Sequence, residues 1–432
     1  MHALTASPKN RPAMAPRWLL PAVLLITIVS GSCESPTIEL YDEGTDDPQD
    51  VPTRVLEVHV SMDAEASELA SALGWETGIP GVEVKIQPLG TREWITAGTD
   101  AAGVVRFEDV HSGGYRLAAS RVLEAGEAAD AGVEVSAFGG GKVVRVASAA
   151  DREESLILRA DEGEGLMFSE LGLMNPFPWE ISGAVTGGAF IEIYNGSNQT
   201  VFLDGWILGV SYPHWRDSAR SCEATEPLRL PPEGLHARLF QAFPGTGGDH
   251  PLQPGDVVVI AYGAADHRPV HPGFPDLSGA DFEILAEGGT DNPGVPNMED
   301  IGLEWWPRFA LFASQPFFLA RPVDPDALPT LEDPSDGRTY VRFPDWSIVD
   351  VVGMAAPLAS EPDTRHCGNM LRPELNSLEF PSPTWGHGKP EATIQRKGLR
   401  TAPDGRVILQ NTRTAAVDFV MDYRNLGAVR RP

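Results

Sequence analysis

From Arg54 onward the apolar positions recur every second residue rather than every three to four. Arg54-Val-Leu-Glu-Val-His-Val60 alternates, and so does Gly81-Val-Glu-Val-Lys-Ile86. Alternation sends successive side chains to opposite faces of an extended chain, so each run predicts a half-buried strand. Further strands are expected at Glu93–Thr96, within Thr99–Val110 and His111–Ala119, and at Lys142–Ala147 and Ser155–Ala160. Glycine and aspartate punctuate them, as turns require. Glu65–Leu73 has a brief helical spacing and reads as a loop insertion. Gly139-Gly-Gly141 and Gly245-Thr-Gly-Gly248 read as loops. Seven short strands predict an immunoglobulin-like sandwich over residues 54–160.

The strongest strand signal lies further on, at Ala189–Leu208. Phe190, Ile191, Ile193 and Tyr194 supply β-branched and aromatic content, Asn195-Gly-Ser-Asn198 breaks the run, and Val201-Phe-Leu203 resumes it. The pattern predicts a hairpin, with Glu192 and Asp204 as structural polar positions. Leu166–Leu173, Leu252–Ala261, Arg308–Ala313, Pro316–Ala320, Tyr340–Phe343 and Ser347–Val352 add strands, and Trp346, beside one of them, reads as core. The charged, glycine-bearing Asp161-Glu-Gly-Glu-Gly165 marks a junction. The fold class expected is therefore all-β: two immunoglobulin-like sandwiches in tandem, 54–160 and 166–430, the second carrying long loop insertions.

The first 53 residues follow a different pattern. Residues 1–17 carry Lys9, Arg11 and Arg17, and Trp18–Val29 is a short, mostly apolar run. At about 18 Å as a helix, that run falls short of a ~30 Å hydrocarbon core. Small residues, Ser30-Gly-Ser32, then precede Cys33. This is the order of a secretory signal, and the cysteine after the small residues makes it resemble a bacterial lipoprotein signal. The resemblance implies a 1–33 signal peptide whose Cys33 is lipidated, anchoring the exported chain to the membrane through its acyl chains. Glu34 after Cys33, in place of aspartate, leans towards the outer membrane. Residues 34–53 are acidic and poor in apolar side chains, as an extended tether would be.

Charge narrows the partners. The 432-residue chain holds 61 acidic and 33 basic residues, for a formal net charge of −28. Such a surface repels nucleic-acid phosphates, so no nucleic-acid partner is expected. The cysteines are Cys33, Cys222 and Cys367, with no metal-ribbon spacing. Once Cys33 is lipidated, Cys222 and Cys367 are either a disulfide, favoured by an oxidising envelope, or two buried thiols.

Candidate chemistry is sparse. There is no nucleophile elbow, zinc-protease helix, P-loop or dinucleotide fingerprint. His267 and His271, with Asp249, His250 and Asp266 nearby, are the densest imidazole–carboxylate set, and their Pro- and Gly-rich context favours a solvated loop. Asp276, Asp281 and Glu283, with Asp291 and Asp300, are candidate calcium ligands, and calcium is the one cofactor considered. Trp305 and Trp306 are candidates for stacking on a sugar, and Trp385 is a weaker one. Asn195-Gly-Ser197 and Asn198-Gln-Thr200 match the glycosylation sequon but serve as turn residues in this reading.

Two family resemblances organise the rest. Gly81-Val82, Thr99-Asp-Ala-Ala-Gly-Val-Val-Arg-Phe-Glu-Asp-Val110 and Gly114-Tyr115 resemble the carboxypeptidase-regulatory or prealbumin-like module. That implies a spacer or adhesion module without catalysis, with Asp100 and Asp109 as turn residues. The opening strand with Phe190–Asn195 and Asp204-Gly205 resembles the lamin-tail sandwich. More closely, Phe168-Ser-Glu170, Phe190–Asn195, Asp204-Gly205, Asp276–Glu283, Asp291–Asn297, Trp346–Asp350, Ile394–Lys397, Asp404-Gly-Arg406 and Val417-Asp-Phe419 are similar to landmarks of domain-of-unknown-function family 4876. Asn411-Thr-Arg-Thr departs from that pattern. The family implies a bacterial envelope lipoprotein and transfers no site residues. The function expected is a non-catalytic outer-membrane or cell-surface lipoprotein, acting as a binding, scaffolding or transporter-accessory module for an envelope protein or glycan. The alternatives are a carbohydrate-binding accessory protein and a hydrolase with its site in the 211–300 insertions.

Overall fold

Seven strands of the first half form one continuous ladder. In spatial order they are Ile95–Gly98, Glu83–Pro88, Gly113–Val122, Ala137–Val146, Arg152–Ala160, Arg54–Met62 and Val104–Val110. This is a computed structural model, and it describes residues 53–89, 91, 93–134, 136–147, 151–161, 163–173, 188–212, 222–285, 289–303, 316–334, 337–355, 371–381 and 392–432. All of these belong to one compact unit, Val51–Pro432. Arg152–Ala160 is the corner of the ladder. Its residues up to Leu158 run parallel to Leu56–Met62, while Arg159 and Ala160 pair with Gly139 and Phe138. The two wings enclose a shared core that includes Leu56, Val58, Val84, Ile86, Leu117 and Leu158. The period-two runs supply those inward positions. At the Thr99–Val104 turn, the Asp100 carboxylate accepts the Ala102 and Val104 amides at 2.8 and 3.0 Å.

Glu65–Leu73 is helical after all. A turn of 3-10 helix, Ala64–Ala66, is capped by Asp63 and runs into the helix Ser67–Ala72. Too short to persist alone, it is held by Ala70 in the core and by Leu69 and Leu73 against it.

The second half contains one six-stranded and one seven-stranded layer. One runs Phe282–Ile284, Val257–Tyr262, Phe190–Asn195, Leu166–Gly172, Ala392–Arg396, Phe419–Tyr423. The other runs Thr330–Glu332, Thr339–Phe343, Leu235–Ala242, Ile207–Ser211, Phe317–Ala320, Ile348–Val352, with Glu299–Asp300 also pairing to Leu235–Ala242. Phe168, Leu171, Ile191 and Ile193 of the first meet Leu208, Val210, Leu239, Phe317 and Leu319 of the second in one core. The far side of the second layer is buried too, around Phe240, Phe318 and Phe343. The described chain is thus almost entirely β.

Ala189–Leu208 does not form a hairpin. Phe190–Asn195 pairs with Leu166–Gly172 and Val257–Tyr262, whereas Ile207–Ser211 lies in the opposite layer. All six residues of Phe190–Asn195 are buried. Such a strand needs partners on both edges and cover on both faces, which a local hairpin cannot supply. The segment is a crossover between layers. Trp346 is likewise not core. In the 3-10 turn Asp345–Ser347 it is Ser347 that points inward, and Trp346 is 64% exposed.

Gly139-Gly-Gly141 is strand rather than loop, and it is where the two halves meet. A Cβ on Gly139 would lie 2.1 Å from Thr412 Oγ1, and one on Gly141 would lie 2.6 Å from Leu378 Cβ. Ala118, Leu378 and Val417 form one buried cluster across this seam, and the buried Arg116 guanidinium donates to the Glu379 carbonyl. The glycines let a loop of one half lie directly on a strand of the other. Gly139→Val should therefore lower stability by about 1–3 kcal/mol or more through overpacking. Gly248→Val, whose site has nothing within 4 Å of an added Cβ, should change it little. Urea unfolding of the two variants measures the difference.

Candidate functional site

A cleft of about 810 Å³ opens on the outer side of the Phe190–Asn195 layer. Four pieces of chain wall it. They are the Asp249–Leu252 loop, the Pro254–Asp256 turn with the adjoining strand, the Asp404-Gly-Arg406 turn, and Gly427–Arg431. Arg406 shapes one end. Its Nε donates to Asp404 Oδ2 at 2.6 Å and its Nη1 to the Gly196 carbonyl, and its stem packs on Gly255, where φ is +83°. The Arg406 hydrogen bond holds the Asp404 carboxyl below its ordinary range. Tyr194 forms the floor, donating its hydroxyl to the Val407 carbonyl at 2.7 Å.

The acids on the rim are differently committed. Asp249 Oδ2 accepts the Thr246 amide and hydroxyl, both at 2.9 Å, and Asp281 Oδ2 accepts the Val259 amide at 2.8 Å. Asp256 is exposed and makes no side-chain hydrogen bond among the described residues. Asp249, Asp256, Asp281 and Asp404 together outnumber Arg406 and Arg431, so the cleft attracts positive charge.

Beneath the cleft and along the seam, carboxylates hold the loops in place. Asp204 accepts the amides of Gly247, Asp249 and His250 at 3.1, 2.9 and 3.0 Å. Burial raises its pKa, but the three N–H donors outweigh that and hold the carboxyl far below its ordinary range. Glu283 Oε1 and Oε2 accept the amides of Ala264 and Asn292. Arg396, 1% exposed, binds Asp350 Oδ2 at 2.6 Å and the carbonyls of Phe168 and Gln410. Its guanidinium also lies 4.5 Å from the Phe419 ring centroid. Asp418 accepts the amides of Thr412 and Thr414 at 2.9 and 3.1 Å. At the junction, Asp161 Oδ1 accepts the Asn411 amide at 2.7 Å. Burial, helped by the Asp418 charge, pushes the Asp161 carboxyl up to about 7.

The candidates read from the sequence are scattered over this frame. Asp276 is taken up by the amide and hydroxyl of Ser278 and by Arg268. Asp281 and Glu283 serve the loop amides named above. No three His, Cys, Asp or Glu side chains among the described residues form a group suited to a metal ion. His267 Nε2 lies 2.9 Å from the Gly263 carbonyl, His271 Nδ1 accepts the Gly273 amide, and Asp266 pairs with Arg268. Asn195 is fully buried, its amide donating to the Gln199 and Leu252 carbonyls, so glycosylation at its sequon would require unfolding. Residues 1–33 with Cys33, the tether as far as Pro52, Trp305, Trp306, Trp385, the 308–313 run, Cys367 and the side chain of Cys222 lie outside the described residues. The Glu170–Glu192 pair and the Arg396 network escaped notice as chemistry. The available signal was an acid or arginine standing inside a strand of apolar neighbours, as in Phe190-Ile-Glu-Ile-Tyr-Asn195.

No protein-family model matches the chain, and no curated protein matches it. Among solved structures it is similar to the crystal structure of a DUF4876 family protein from Bacteroides thetaiotaomicron. The two are 17% identical, the match covers 88% of this chain and 98% of that one, and the TM-score is 0.49.

Asp161 generates a pH dependence. Its folded-state pKa is raised to about 7 from an ordinary 3.8. The folded state therefore holds a proton that the unfolded state has lost. This contribution to stability is full below about pH 4 and is lost as pH rises to 7. In Asp161→Asn the loss is absent. The stability difference between variant and wild type should therefore grow in the variant's favour from pH 4 to 7 and level off above. Parallel pH curves in urea unfolding would contradict this assignment.

Proposed function

We propose that this chain is an exported, lipid-anchored binding protein that does no chemistry of its own. In this reading Cys33 carries the anchor, residues 34–53 form the tether, and two immunoglobulin-like sandwiches stand outside the outer membrane or at its inner face. The first is a carboxypeptidase-regulatory-like spacer, and the second a lamin-tail-like body of the DUF4876 kind. They serve an envelope partner, as scaffold or transporter accessory. The observation that carries the reading is the cleft. It is open, polar and acid-rich, and it is built from loops brought together from distant parts of the chain, the kind of loop surface on which binding sites are placed by a rigid scaffold. The rival hydrolase in the 211–300 insertions draws little support from His267, His271 and Asp266, each bonded within its own turn. The rival glycan-binding role rests on Trp305 and Trp306.

Two experiments test the proposal. Palmitate label should enter the wild-type chain and not Cys33→Ala; equal labelling removes the anchor. Cross-linking in envelope extracts should capture a partner that Asp256→Arg loses by about tenfold or more, the scale of one lost charge contact. Equal capture by the two proteins removes the cleft as the binding surface.

A further inference from the structure

Glu170 and Glu192 face each other across neighbouring strands, and they are 1% and 0% exposed. The alternation that sends Ile191 and Ile193 into the core sends Glu192 to the outer side of the layer. The run Asn425–Arg431 covers them there. The Asn425 amide donates to both oxygens of Glu170 at 3.1 Å, and the Gly427 amide donates to Glu192 Oε1 at 2.6 Å. Thr393 Oγ1 donates to Glu170 Oε1 at 2.6 Å. Glu192 Oε2 has no hydrogen-bond partner among the described residues.

The charges bearing on Glu192 are Glu170 on one side and Asp281 on the other, both negative. Arg424 bears on Glu170 and is turned to the Gly273 carbonyl, Arg430 pairs with Asp422, and the strand Val257–Tyr262 presents Val259 opposite Glu192. A carboxylate here would have one N–H donor, no counter-ion and two like-charged neighbours. Burial without a partner is costly for a charge, so the carboxyl keeps its proton. Burial pushes Glu192 up to about 9. The same covering run forms a wall of the cleft through Gly427, Ala428, Val429 and Arg431. Gly427 adopts φ +76°, a turn that lets its amide point down at the carboxyl.

We propose that Asn425–Arg431 is a latched wall of the cleft, fastened through a proton held on Glu192 beside Glu170 and loosened as that proton is lost to solvent. With the wall closed, the neutral carboxyl accepts the Gly427 N–H at Oε1. With the wall lifted, Glu192 is hydrated and ionises at an ordinary pKa. The closed form thus binds one more proton, so its advantage is full below about pH 4.5, shrinks as pH rises and is exhausted near pH 9.

Hydrogen exchange of the Gly427 amide, corrected for the intrinsic rate, reads the latch directly and needs no ligand for the cleft, so it fails or succeeds apart from the binding role. Between pH 6 and 9 the wild-type opening constant should rise by up to about tenfold per pH unit. Glu192→Gln keeps an acceptor for the Gly427 N–H and leaves only Glu170, which burial also raises, to titrate under the wall, so its opening constant should rise less steeply than that of the wild type. Glu170→Gln removes one like charge and should reach its plateau at a lower pH. A flat wild type, or a Gln variant with the wild-type slope, overturns the proposal. So does restoration of the closed wall at pH 9 by millimolar calcium, which would make a metal ion the latch.

Discussion

The second half of this molecule is built around one buried guanidinium. Arg396 sits inside the fold with Asp350 as its counter-ion and the Phe168 and Gln410 carbonyls as its other acceptors. These groups come from four separate stretches of chain, so no two of them can shift alone. A buried ion pair adds little net stability compared with a well-packed apolar substitute, but removing one partner strands the other at a cost of about 3–5 kcal/mol. The arrangement therefore imposes position more than it adds stability. Asp418 and Asp161 continue it to the seam, where Thr412 meets the bare backbone of Gly139.

The same device recurs wherever the chain leaves its sheets. Long loops expose backbone N–H groups that no ladder satisfies. Here carboxylates satisfy them: Asp204 for Gly247–His250, Glu283 for Ala264 and Asn292, Glu170 and Glu192 for Asn425 and Gly427. Where the carboxyl is ionised, as at Asp204, such bonds are charge-assisted and among the stronger ones. Part of the acidic excess is thus internal scaffolding. The part left on the cleft rim, with Asp256 its clearest member, faces solvent.

Much of the β architecture was legible along the chain. Arg54–Val60, the Thr99–Val110 turn and strand, Tyr340–Phe343 and Ser347–Val352 read directly as extended, because alternation is a local property of a half-buried strand. Phe190–Asn195 was legible as strand and misleading as hairpin. A run buried on both faces carries no information about its partners, which lie 18–29 and 63–71 residues away. Gly139-Gly-Gly141 looked like loop because glycine has no strand propensity, and only the approach of Thr412 and Leu378 explains it. Trp346 failed in the opposite sense, since its place beside a strand suggested burial, whereas the turn there places Ser347 inside instead.

What the sequence determined by itself is the extended character of many of its segments and the acidic excess, each set by composition or by neighbours a few residues apart. What only the tertiary structure decided is which acids are surface and which are internal. Glu192 and Asp256 are the same kind of residue to a sequence. One is sealed beneath Gly427 with its proton, and the other stands open on the rim of the cleft. The difference comes from strands and loops brought together from across the chain, and a carboxyl's charge depends on the water and the partners that such packing leaves it.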